Sequence, residues 1–294
     1  MGDVGLVVGD VEMLAGPDDA PLALRHLGGT GPAVLMSHAT GLHGHVWAPV
    51  AAHLSSWSCH ALDLRGHGLS PVPESDDLAW AGMGRDVALV ADHLGPGVIG
   101  VGHSAGATAL LMAAAAHPER FELLVLFEPA LRPGLDPVPP ALTDSQRALV
   151  EMTTRRRAVF SSRAEALASF ARKPPFDTVT AAALHAYVEH GFADTDDGQV
   201  TLRCLPEVEA QVFARAHGHD LARRLHEVTC PVVVIRGDES APHQIAASDA
   251  LGEVFGRGAV VLDGADHFGP LSQPSRVARV VRDAVVGIGP VDGR

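Results

Sequence analysis

The segment Gly102-His103-Ser104-Ala105-Gly106 constrains this chain more than any other. It follows an apolar run, Val98-Ile99-Gly100-Val101, and opens an alanine-rich stretch from Ala107 to His117. That pattern predicts a strand, a tight turn and a helix. Such a turn forces its central residue to φ > 0, a strained conformation for anything but glycine. Only small neighbours fit, and Gly102 and Gly106 flank the serine two positions away on either side. The strain lifts the Ser104 hydroxyl clear of the backbone at the tip of the strand. The helix that begins there aims free N–H groups, including that of Ala105, at whatever oxygen the serine attacks. Gly100-Val101-Gly102 with Gly106 also fits a glycine-rich phosphate loop. A dinucleotide site, however, wants its fingerprint near a first strand, and here several strand-like runs lie upstream.

At 294 residues the chain can bury a large core, enough for one α/β domain with an insertion or for two modest domains. Its 47% hydrophobic and 19% charged content is that of a globular protein. A net charge of −13 argues against nucleic acid and anionic membrane surfaces as partners. The expected partner is a small-molecule substrate, with room for a homo-oligomer. Cys59, Cys204 and Cys230 are widely spaced and odd in number, which suits a reducing cytoplasm better than a disulfide framework. No secretory pattern opens the sequence, and no apolar run reaches the length of a membrane span. Among 17 histidines the tightest pairs are His43-x-His45 and His217-x-His219, and only the second has a carboxylate beside it, Asp220. Neither completes a recognisable ligand set, so no metal and no cofactor are expected.

Val4–Val8, Val11–Ala15 and Leu22–Leu27 alternate apolar and polar residues and read as antiparallel strands separated by turn signals such as Gly16-Pro17-Asp18-Asp19. Short apolar runs follow at Ala33–Met36, Ser58–Leu62, Val98–Val101, Leu123–Phe127, Val232–Ile235 and Ala259–Leu262. They fit strands buried on both faces. Helices are expected over Trp47–Leu54, Leu78–Leu94 and Ser275–Val286. Strands alternating with helices mean a mostly parallel sheet wrapped on both sides. The interval from Pro133 to Val228 breaks the alternation. Thr143–Phe160, Ser162–Ala171, Val179–Gly191 and Glu207–Ala216 look helical, punctuated by Pro139-Pro140 and Pro174-Pro175. The reading is a core of residues 1–132 and 229–294 with a mostly helical cap, 133–228, laid over it.

A serine is a weak nucleophile at neutral pH. It needs a base, an acid to orient that base, and N–H donors for the developing oxyanion. His267, in the loop after the last strand, lies at the same sheet edge as Ser104 and is the candidate base. Glu128, Asp238 and Glu239 all end or follow strands at that edge and are candidates for the acid. Ser37-His38-Ala39-Thr40-Gly41 follows the Ala33–Met36 strand, and the Thr40 N–H is the candidate second oxyanion donor beside that of Ala105.

Four segments together resemble the α/β-hydrolase family: His38-Ala39-Thr40-Gly41 with Trp47, Asp63-Leu64-Arg65-Gly66-His67-Gly68-Leu69-Ser70, Gly102–Gly106, and Asp266-His267-Phe268. They fall in the family's order and span nearly the whole chain. The resemblance implies an eight-stranded-type sheet and a Ser-His-acid hydrolase. The family usually has His-Gly where this chain has His38-Ala39. In the family the Asp63–Ser70 segment is a structural turn, so no chemistry is assigned to it. Many members carry an Asp where this chain has Ser240. Others take the acid from the strand after the nucleophile, which favours Glu128 here. Ser104 argues against the epoxide hydrolases and dehalogenases of the family, which resemble chains with Asp as nucleophile. Esterase chemistry on a small or medium acyl group is expected, with thioesterase, lactonase, C–C hydrolase, perhydrolase or acyltransferase chemistry as alternatives. Non-catalytic receptors of this fold usually lack the nucleophile or the base, and this chain has both. With one Tyr and three Trp, a plain apolar pocket is expected rather than an aromatic one.

Overall fold

The computed structural model describes residues 7–8, 10–131, 142–216 and 218–287. Its main sheet contains β1 (Val7–Val8), β2 (Val11–Leu14), β3 (Leu22–Gly28), β4 (Ala33–Ser37), β5 (Ser58–Leu62), β6 (Val98–His103), β7 (Phe121–Phe127), β11 (Val232–Gly237) and β12 (Val260–Leu262). The order is β1-β2-β3-β5-β4-β6-β7-β11-β12. β1, β2, β3 and β5 pair antiparallel, and every pair from β5 to β12 is parallel. The two-residue β1 makes this a nine-stranded sheet where eight strands are expected from the resemblance.

Helices cover both faces, which is why every residue of β6 is buried. On one face lie α2 (Trp80–Leu94) and α3 (Ala105–Ala116), packed on Leu35, Leu62, Leu124 and Leu126. On the other lie α1 (Ala48–Ala51) and α11 (Pro274–Gly287), packed with Val34, Met36, Val101 and Val125. The alanines of α3 let it approach closely: a Cβ on Gly84 of α2 would stand 2.7 Å from the Met112 Cβ. The sequence reading of a helix over Trp47–Leu54 gives way to a 3-10 turn, Gly44–Trp47, and the single turn of α1. α9 (Pro242–Val254) is missing from that reading, although Pro242 in its first turn is a start signal.

Chain order fixes where a ligand can enter. From β4 the chain crosses to β5 on one side, whereas from β6 it crosses to β7 on the other. The carboxyl edge between β4 and β6 is therefore the switch point at which sheets of this kind form their binding crevice. The Ala39–Gly41 loop and Ser104 sit at its two sides.

Between β7 and β11 come α4 (Asp144–Thr154), α5 (Arg163–Phe170), α6 (Ala181–Gly191), α7 (Pro206–Ala214) and α8 (Leu221–Arg224). The expected start of this interval, from Pro133 through Pro139-Pro140, lies outside the described residues. The segment is not purely helical. β8 (Val159–Phe160), β9 (Phe192–Asp194) and β10 (Val200–Leu202) form a small antiparallel sheet in the order β8-β10-β9. Its strands are two or three residues long, too short for alternation to register, and Gly198 at φ 79° turns β9 back into β10. The Thr143–Phe160 helix accordingly stops at Thr154.

The Asp63–Ser70 turn is held by a buried charge. Asp63 accepts from the Gly44 N–H at 2.6 Å and the Leu69 N–H at 2.8 Å, and pairs with Arg25 at 3.0 Å. The Ser70 hydroxyl donates to the Asp63 carbonyl at 2.6 Å. Burial raises the Asp63 pKa, but the Arg25 charge and its hydrogen bonds outweigh that and hold it at about 2. Removing one partner of a buried pair leaves the other uncompensated, so Asp63→Ala is expected to cost about 3–5 kcal/mol in urea unfolding. Because the folded-state pKa lies below the unfolded value of 3.8, this stabilisation is present above pH 4 and is lost as pH falls toward 2. The gap between wild type and Asp63→Ala should narrow over that window.

Candidate active site

Ser104 stands between β6 and α3 at φ 52°, ψ −115°. Its N–H donates to the Phe127 carbonyl at 2.9 Å, extending the β6–β7 ladder by one step, and its carbonyl accepts from the Thr108 N–H at 3.0 Å. The turn tolerates no extra atoms. A Cβ on Gly102 would lie 2.5 Å from the Ala107 Cα, and one on Gly106 would lie 2.4 Å from the Ser37 carbonyl carbon and 2.5 Å from the His38 oxygen. The elbow is thus pressed against the loop leaving β4, which carries Thr40. Ala105 is the first residue of α3, whose opening N–H groups have no partner within the helix.

Glu128 follows β7, one strand over. It too has a positive φ, 43°, and its N–H is fixed by the Ile235 carbonyl at 2.9 Å. Its side chain is buried and faces His267: Glu128 Oε2 lies 2.6 Å from His267 Nδ1. Glu128 Oε1 accepts from the Gly237 N–H at 2.9 Å and from the Ser240 hydroxyl. Burial would raise the carboxyl pKa. The His267 hydrogen bond and charge, the Ser240 hydroxyl and the Gly237 N–H reverse this, and the group sits below the ordinary glutamate value. With Nδ1 committed to a carboxylate, His267 keeps Nε2 for other work. The His267 ring is a quarter exposed and 4.8 Å from the ring of His103, the residue before Ser104. Burial, and then the adjacent His267, hold His103 well below the usual imidazole range, so it stays neutral.

The other two carboxylates lie elsewhere. Asp238 is exposed and caps the Gly264 N–H at 2.6 Å. Glu239 is exposed, with its N–H on the Ala265 carbonyl. The residue that sequence reasoning passed over is Ser240. It occupies the usual acid position and donates to the carboxylate that stands on the neighbouring strand. Its signal in the sequence is a hydroxyl at a position where many α/β-hydrolases carry an acid.

The inserted segment lies over this edge. His43 Nε2, in the loop after β4, donates to the Tyr187 carbonyl of α6 at 3.1 Å. The Thr180 hydroxyl donates to the Leu271 carbonyl at 3.1 Å, a few residues past His267. A Cβ on Gly41 would strike Glu209 of α7, whose carboxylate pairs with Arg156. Phe160, Phe170, Phe176, Tyr187 and Phe192 pack edge-on and tilted against one another, and Phe176 reaches Phe268 at 5.6 Å. These five aromatics join the hydrophobic cluster that covers this face of the main sheet, a clustering that composition alone does not reveal. Of the histidine pairs, His43 is used as above and His45 stacks on His190 at 3.5 Å, while His217 lies outside the described residues. Among the described residues no group of three or more His, Cys, Asp or Glu is arranged to hold a metal ion, and no helix is long and apolar enough to cross a membrane.

A family model described as "Alpha/beta hydrolase family" matches residues 34–280. The chain belongs to the alpha/beta hydrolase family. Over 250 residues it is 30% identical to 2-(acetamidomethylene)succinate hydrolase of Mesorhizobium japonicum, covering 82% of this chain and 83% of that one. Lipase LipV of Mycobacterium tuberculosis is 38% identical over 114 residues, 37% of this chain and 42% of the relative. A crystal structure of E-2-(acetamidomethylene)succinate hydrolase superposes with a TM-score of 0.77 at 26% identity, covering 94% of this chain and 99% of that one. The geometry of this hydrolase generates a direct measurement. The Glu128 carboxyl should titrate with a midpoint below 4.5 by carbon-13 NMR, and Ser240→Ala should move it upward by removing a donor to the ionised form. A midpoint above 4.5 in the wild type contradicts the arrangement described here.

Proposed function

We propose that this alpha/beta hydrolase cleaves a small or medium ester-type substrate through an acyl-enzyme on Ser104. The observation that carries the reading is the 2.6 Å contact of Glu128 Oε2 with His267 Nδ1, on a strand end directly beside the strained serine. In this reading His267 Nε2 takes the Ser104 hydroxyl proton as the oxygen attacks the substrate carbonyl. The N–H groups of Thr40 and Ala105 receive the oxyanion. The carbonyl re-forms, the C–O bond to the alcohol breaks, and His267 returns the proton to the departing oxygen. Water then repeats the sequence on the acyl-enzyme and frees the acid. Glu128 holds the imidazole in the tautomer this requires and stabilises the imidazolium while it exists. Residues 133–228 act as a cap whose α6 and α7 wall the crevice and set substrate choice.

The same constellation serves amides when the leaving nitrogen is protonated by the same imidazole. The relative that matches over most of the chain is named for an acetamido compound, which makes N-acyl substrates the second class to assay.

A fluorophosphonate probe should label Ser104 in the wild type and leave Ser104→Ala unlabelled. Ser104→Ala should lower kcat on the best p-nitrophenyl ester by roughly 10³-fold or more, about 4 kcal/mol of transition-state stabilisation. Glu128→Gln should fold and lose roughly 10²-fold or more in kcat, because the amide can select the wrong tautomer. Asp238→Asn should stay within about threefold of wild type, as expected for a surface change of under 1 kcal/mol. Near-wild-type turnover by Ser104→Ala refutes the proposal.

A further inference from the structure

The Asp63–Ser70 turn carries a histidine that its structural role does not require. His67 is fully buried, and its ring joins its own turn to the loop after β4. Nε2 accepts a hydrogen bond from the Gly41 N–H at 3.0 Å, and Nδ1 donates to the Arg65 carbonyl at 3.0 Å. A ring nitrogen that accepts from an N–H carries no proton, so the geometry sets His67 as the neutral Nδ1–H tautomer. His38 is set the same way: its Nε2 accepts from the Leu64 N–H at 3.0 Å and its Nδ1 donates to the Ala39 carbonyl at 2.8 Å. The two rings lie 5.2 Å apart.

Together these imidazoles grip both sides of one residue. The Ala39 carbonyl is held by His38, and the Gly41 N–H is held by His67. Gly41 has φ 79°, and the Leu42 N–H closes the turn on the Ala39 carbonyl at 3.1 Å. What is left over is Thr40. Among the described residues its N–H makes no backbone hydrogen bond, and its buried hydroxyl has no partner. A buried donor without a partner is costly, and it is rare unless something else uses it. Burial keeps both rings uncharged. The His38 pKa is lowered to about 3, first by desolvation and then by its neighbour His67, and desolvation lowers that of His67 as well.

We infer that His67 is a positioning residue for the oxyanion-binding turn: its Nε2 pins the Gly41 N–H and so aims the free donors of Thr40 across the crevice at the carbonyl oxygen above Ser104. The inference rests on the proposed reading of Ser104 as nucleophile. It gives the Asp63–Ser70 turn a function in addition to stability, since one end of that turn fixes half of the oxyanion site. Glutamine tests it well, because its Oε1 reaches about as far as the histidine Nε2 and accepts as that atom does.

The experiment compares wild type, His67→Ala and His67→Gln on a p-nitrophenyl ester and with the fluorophosphonate probe, alongside melting temperatures. Deleting a whole oxyanion donor costs roughly 10²–10³ in kcat, and a donor left in place but unpinned should cost less, about tenfold. His67→Ala should therefore lose about tenfold in kcat and in labelling rate with KM within about twofold, and His67→Gln should recover most of both. A folded His67→Ala with wild-type kcat and labelling overturns the inference. So does a loss that His67→Gln, folded, does not repair. Should His67→Ala fail to fold, nitrogen-15 NMR of the wild-type ring decides: a protonated Nδ1 with a bare Nε2 at neutral pH supports the inference, and a protonated Nε2 overturns it. A wild type that the probe does not label at Ser104 defeats the proposed function itself, whereas labelling unaffected by His67→Ala defeats the positioning role alone.

Discussion

Two residues with side chains sit in the left-handed region at adjacent strand ends, Ser104 at φ 52° and Glu128 at φ 43°. Each is bolted down by a backbone hydrogen bond to the next strand, Ser104 to Phe127 and Glu128 to Ile235. Strain of this kind costs on the order of 1–3 kcal/mol per residue and survives only where the surroundings over-determine the backbone. Here the parallel ladder of β6, β7 and β11 does so. Much of the rest follows from that ladder. Small residues must line the elbow, α3 must start where it does, and the loop after β4 must pass within contact of Gly106.

The sequence was most legible where sterics leave little choice. The elbow around Ser104, the buried strands and the long helix α2 all follow from local pattern, because a doubly covered sheet and a strand-to-helix turn each restrict residue type strongly. Glu128 was legible only through its position at a strand end and through Ser240 standing where an acid often is. Three carboxylates competed on the sequence, and only tertiary geometry separates a buried one on His267 from two exposed ones. The small sheet of Val159–Phe160, Phe192–Asp194 and Val200–Leu202 was hidden because segments of two or three residues carry no period. The pinning of Thr40 was hidden for a different reason. His67 lies 26 residues from Gly41, and nothing local announces their contact.

The buried histidines near the site behave as neutral, shape-defining polar groups. His38, His43 and His103 are buried with pKa values driven below the usual range by desolvation, His38 to about 3 and His43 to about 4. In that state a ring offers one donor and one acceptor at fixed angles, and it can join two backbone segments without importing charge. His267 differs in kind, because a buried carboxylate stands ready to balance a proton on it.

The chain order of the site has a temporal consequence. β6, α3 and β7 form one continuous right-handed unit, so Ser104 and Glu128 are made together and meet across neighbouring strands of a single supersecondary element. His267 belongs to the loop after β12, and the whole inserted segment and β11 are synthesised between them. The contact between Glu128 and His267 therefore cannot form until the last strand of the chain stands against β11.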